Sequence, residues 1–160
     1  MRVKAVPAPP ESIEEFEAIR KAVPLVPEPE ASCCDRLGSR TEISSEEARD
    51  WLTFLRGMEL VREGPTGFYR TREEPVEMGE ALLSGVYGAR EVDEILRESD
   101  GALTANEIFE RFDAIPCWER FHHRDPEAVW RERIGRLVEW LVLLGRAERV
   151  GEGYTRETQR

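Results

Sequence analysis

The chain has 160 residues, 40% of them hydrophobic and 35% charged, which suits one mid-sized domain or two small ones and excludes a fibrous or wholly disordered protein. Its longest apolar run, Trp140 to Leu144, falls far short of the roughly 18–20 residues that cross a bilayer. The charged start, Met1-Arg-Val-Lys-Ala-Val-Pro7, lacks the apolar core of a signal peptide, so a cytoplasmic protein with no membrane contact is expected, at a net charge of −10.

Residues 1–10 read as a flexible segment ahead of a first domain over 11–75. A helix is predicted from Ser12 to Val23, with Ile13, Phe16, Ile19 and Val23 on one side. The proline-rich Pro24-Leu-Val-Pro-Glu-Pro29 then breaks the chain, and only a short, weak helical segment from Ala31 to Leu37 follows. Ser44-Ser-Glu-Glu47 has a capping-box pattern that starts a further helix, whose Ala48, Trp51, Leu52, Leu55 and Met58 recur at helical spacing. Leu60–Glu63 and Phe68–Thr71 alternate as strands about a Gly64-Pro-Thr-Gly67 turn.

A second domain is expected over 80–158. It opens with a helix from Glu80 to Glu98, broken near Gly85 or Gly88, and a short strand at Gly101-Ala-Leu103. Thr104 with Glu107 makes another capping box for a helix to Phe112, and an insertion from Ile115 to Arg124 follows. Asp125-Pro126 supplies an N-cap and a first-turn proline for a long helix. Its seam is Trp130, Ile134, Leu137, Leu141 and Leu144; Gly145 ends it, and a tight hairpin turns at Gly151-Glu-Gly153. The two halves also repeat. Shifted by 89, Asp50–Gly64 lies over Glu139–Gly153 with seven of fifteen residues identical, Trp51/Trp140 and Gly64/Gly153 among them.

The order helix, short strand or turn, helix, longer helix, hairpin thus occurs twice. Carried by Leu103-Thr-Ala-Asn-Glu-Ile-Phe-Glu-Arg-Phe112 and by the two repeat segments, it resembles the winged helix-turn-helix family. The resemblance implies a mainly α fold with small β-hairpin wings, built as two tandem winged-helix domains. It departs from the family in the Ile115–Arg124 insertion and in the weak helix around Cys33-Cys34. The family places its third helix in a DNA major groove and its wing on phosphate or the minor groove.

Charge says which unit could do so. The last forty residues carry eight basic against seven acidic groups, while every earlier quarter is net acidic. On that resemblance, Arg131, Arg133 and Arg136 on the second long helix and Arg124 just before it, with Arg146, Arg149 and Arg156 at its wing, become candidates for contacting double-stranded DNA in transcriptional control. The same arginines could instead pair with Glu127, Glu132, Glu139 and Glu148. In the first unit Arg49 and Arg56 stand among Glu46, Glu47, Asp50 and Glu59. A protein-interaction or scaffold module is the alternative function. Only two of the 23 basic residues are lysine and 27 of the 33 acids are glutamate. That balance suggests adaptation to high salt, as in halophilic archaea, although a GC-rich genome also raises arginine.

Little else points to chemistry. Cys117, His122 and His123 lie in the insertion and Cys33-Cys34 in the first unit, but the spacing is not that of a zinc site, and no metal or cofactor is expected. Trp118, Phe121 and Trp130 are expected to pack the insertion onto the second unit. No phosphate-binding glycine loop or catalytic triad occurs, so an enzyme is not expected.

Overall fold

In the computed structural model, which describes residues 2–75 and 77–157, one unit of the chain runs to Tyr87 and another begins at Gly88. The first holds α1 (Ile13–Ala22), α2 (Glu30–Arg40), α3 (Ser45–Gly57), the hairpin β1 (Val61–Gly64) and β2 (Gly67–Arg70), and α4 (Met78–Gly85). The second holds α5 (Ala89–Glu98), α6 (Ala105–Arg111), α7 (Glu119–His122), α8 (Pro126–Leu143) and the hairpin β3 (Ala147–Val150) and β4 (Gly153–Arg156). The architecture is mainly helical with two antiparallel hairpins, as expected.

The caps form where the residues call for them. Ser12, Ser44, Thr104 and Asp125 each accept from the backbone N–H three residues on, satisfying donors that a helix start leaves open. At Thr104 the Glu107 carboxylate also accepts from the cap's own N–H, completing the box. Each hairpin gains a third partner from an isolated bridge, Glu28 to Phe68 in the first unit and Leu103 to Tyr154 in the second. Helix, bridge, helix, long helix and hairpin therefore recur, with the core under the long helix of each unit. Trp51 meets Phe16 and Phe54 in the first core, and Trp130 stacks on Phe112 at 5.7 Å between centroids in the second.

Three expectations change. The weak segment at Ala31–Leu37 is a full helix, α2, which buries Cys33 and Leu37. The helix expected from Glu80 to Glu98 breaks as expected, at Gly88 with φ 89°, a left-handed conformation that glycine adopts without strain, but its first part, α4, closes the first unit instead of opening the second. The segment before residue 11, expected to be flexible, is bonded within the first unit: Val3 N–H donates to Gly85 and Tyr87 N–H to Val3, both at 2.8 Å.

The structural repeat has a different register from the sequence match. Leu60 N–H donates to the Leu55 carbonyl, and Arg146 N–H to the Leu141 carbonyl, 86 residues later. Both strands of the hairpin and the left-handed residues Glu59 and Gly145 follow the same shift of 86. Trp140 is therefore the counterpart of Phe54 and not of Trp51. A three-residue slip along a helix keeps apolar residues on nearly the same face, so the slipped sequence alignment still matched tryptophan to tryptophan and leucine to leucine.

Gly57 and Gly85 let α3 and α4 cross closely, and a Cβ on Gly85 would overlap the Gly57 carbonyl. Gly85→Ala is expected to destabilise the first unit by about 1–3 kcal/mol or more, as overpacking does. Gly135→Ala is the control for a thermal melt: its Cβ would meet nothing within 4 Å, and alanine favours a helix interior.

Candidate nucleic-acid interface

α8 is positioned by the apolar seam below it. Trp130, Ile134, Leu137, Val138, Trp140 and Leu141 are all buried, against α5 and α6. Helical geometry then turns Ala128, Glu132, Gly135 and Glu139 outward, with Arg131 and Arg136 on opposite flanks.

The seven candidate arginines fall into two groups. Arg124 is exposed just before the Asp125 cap, Arg131 is exposed with its guanidinium 4.8 Å from the centre of the Phe109 ring on α6, and Arg156 is exposed at the end of β4. No ion pair joins these three to a carboxylate among the described residues. The other four are engaged. Arg136 pairs with Glu132 at 2.9 Å, one helical turn away. Arg149 pairs with Glu139, which also accepts from the Tyr154 hydroxyl. Burial, with Glu139 beside it, pushes the Tyr154 hydroxyl above its usual pKa.

Arg133 and Arg146 are the two least exposed of the seven. The Arg133 guanidinium lies over the Trp130 ring at 5.0 Å and 4.0 Å from Glu119 Oε1, with 23% of its side chain exposed. It stands three residues from Trp130, hence on the edge of the buried face and not opposite it. Arg146 is buried further: its Nε and Nη2 reach the two Asp93 carboxylate oxygens on α5, each at 3.3 Å. It occupies the place of Leu60 in the first unit, so this core position holds an ion pair where the other holds a leucine. Neither geometry offers a free fork to a groove.

Sequence reasoning missed Glu119. It is 2% exposed, bonded to His123 Nε2 at 2.8 Å, and so fastens the inner side of α7. Trp118 and Phe121, expected to pack inward, are 53% and 88% exposed; Trp130 alone of the three is buried. The exposure of Phe121 follows from the anchor, since a residue two places on from an inward Glu119 points away. Arg133→Ala is expected to lower the melting temperature, because it strips a partner from buried Glu119 and uncovers Trp130; Arg136→Ala should leave it within experimental scatter.

In the first unit, Arg49 pairs with Glu30 at 2.8 Å and Arg56 with Glu63 at 2.7 Å, while Glu46 and Glu47 occupy the first turn of α3. That face is acidic or neutralised. The cysteines are all free: Cys33 is buried, its thiol pushed up to about 11 chiefly by burial; Cys34 is half-buried and Cys117 exposed. Among the described residues no three of His, Cys, Asp and Glu gather as metal ligands would.

The duplicated order, with the strand bridge and hairpin in each half, agrees with comparison at family level. Residues 1–160 match the family described as the halobacterial double winged helix domain. The chain belongs to this family. No curated protein and no solved structure matches it. The double winged helix is a fold of DNA-binding, regulator-like type and typically non-enzymatic, and it places this chain with proteins of halophilic archaea. No helix among the described residues is long and apolar enough to cross a membrane.

Proposed function

We propose that this double winged helix is a cytoplasmic, non-catalytic regulator of transcription that contacts double-stranded DNA with its second unit, over residues 88–157. The observation that carries the reading is Arg124 and Arg131 at the N-terminal end of α8, both exposed and neither ion-paired among the described residues. Arg156 on the hairpin is the third such cation among the candidates. Asp125 caps the start of α8 and Glu127 stands in its first turn, so the contact rests on the arginine side chains and not on the helix terminus itself. The contact proposed here is narrower than the seven arginines of the sequence, because Arg133, Arg136, Arg146 and Arg149 are held by other groups.

A protein-interaction module is the second reading, favoured by two features. Glu132 and Glu139 stand on the outward face of α8, where a groove reader needs donors, and the hairpins turn at Pro65-Thr66 and Gly151-Glu152 with no basic tip. The test is a titration of duplexes retained by the protein from a random library, repeated over a range of potassium chloride. Three phosphate contacts predict a log–log salt slope of about −2.7. No retained duplex would move the assignment to the interaction module.

A further inference from the structure

We propose that Phe121 is a wedge that enters a base step of duplex DNA from the minor-groove side, steadied by Arg120 and Arg124 on the flanking phosphates; the proposal rests on the DNA reading above. At 88% exposed, Phe121 has nearly its whole ring in water, beside a half-exposed Trp118. Its backbone is not loose. The Glu119 carboxylate beneath it is 3% exposed and held by His123 at 2.8 Å and Arg133 at 4.0 Å, so α7 is clamped from inside while the ring stands outside.

The surroundings choose the occupant. Arg120, His122 and Arg124 neighbour Phe121 in the chain and are exposed, neither arginine has an ion pair among the described residues, and with Asp125 engaged in the α8 cap the segment 120–124 itself carries no acid on a chain of net charge −10. The apolar surface is two aromatic rings between polar side chains, not the broad apolar core that a stable protein interface buries. Phenylalanine is among the apolar side chains that wedge between base steps in proteins whose cations hold the flanking DNA. It also lies just ahead of the Asp125 cap, continuous with the α8 terminus already assigned to DNA. High salt weakens phosphate contacts but not an inserted ring, so a wedge suits an acidic protein adapted to salt.

The experiment measures affinity and end-to-end energy transfer on doubly labelled duplexes from the retained pool, with sedimentation of the protein alone. Wild type is expected to bend the duplex by roughly 20–90°. Phe121→Ala should abolish the bend and weaken binding about tenfold, within the range for aromatic–base stacking, by a similar factor at low and high salt. Phe121→Trp should keep the bend, while Arg124→Ala should reduce the salt slope. If Phe121→Ala bends and binds like wild type while Arg124→Ala weakens binding, the wedge is wrong and the DNA reading stands. No binding by wild type removes both. Self-association that disappears in Phe121→Ala would make the ring a protein contact and overturn the proposal.

Discussion

Alanine at both Arg124 and Arg131 should leave the second unit folded and reduce its DNA affinity by at least an order of magnitude, with the salt slope shallower by about 1.8 for two lost phosphate contacts. If either guanidinium also reads a base edge, the loss is larger by roughly 1–3 kcal/mol for that contact. Stability should hardly change, because both side chains are exposed and surface substitutions usually stay within about ±0.5 kcal/mol. Arg49→Ala with Arg56→Ala is the matched control: both pair with glutamates of the first unit, and affinity should be unaffected. Titrations beside thermal melts of each variant separate the outcomes, and equal affinity of wild type and the Arg124/Arg131 variant would sink the assignment.

Asp93→Ala should destabilise the second unit by about 3 kcal/mol, the lower part of the range for stripping one partner from a buried ion pair. The carboxylate is 7% exposed and the Arg146 side chain 12%, so solvent screens the pair little and the loss should persist at high salt. Urea unfolding measures it as a lower midpoint of the second unit's transition. The first unit shows the remedy, since it buries Leu60 at the equivalent place. Asp93→Leu with Arg146→Leu should recover most of the stability, as apolar replacement of buried pairs often does. A variant as stable as wild type after Asp93→Ala alone would mean that the pair is more solvated than its geometry implies.

Local signals were legible in the sequence, and long-range ones were not. Ser44, Thr104 and Asp125 read as caps because a cap is a three-residue affair, and all three accept as expected. α2 was underestimated for the opposite reason: Pro29 offers no side-chain cap, and the helix buries only Cys33 and Leu37 along its length. The break near Gly85 and Gly88 is legible from the glycines, but the place of α4 in the first unit is not, because the close approach of Gly85 to Gly57 is a contact that no periodicity reveals. The repeat was visible, but its register came out three residues wrong, since the backbone bonds that define it leave no mark on residue identity.

The candidate interface divides the same way. Arg136 with Glu132 is a pair one helical turn apart, and pairing of these arginines with nearby glutamates was anticipated. Arg146 with Asp93 spans 53 residues, and only the packing of α5 near the second hairpin brings them together. The sequence offers Arg133 on the exposed face or the flank of the helix. Yet its spacing from Trp130 puts it at the seam's edge, and the buried Glu119 that draws it inward sits in an insertion with no helical pattern to read.

The most direct measurement of the central claim is amide chemical-shift mapping of the full chain on a retained duplex at molar potassium chloride. Perturbations are expected to cluster from Trp118 to Arg131 and around Arg156, with α3 unchanged. Perturbations confined to α3, or to the Glu132–Glu139 face of α8, or none at all, would contradict it.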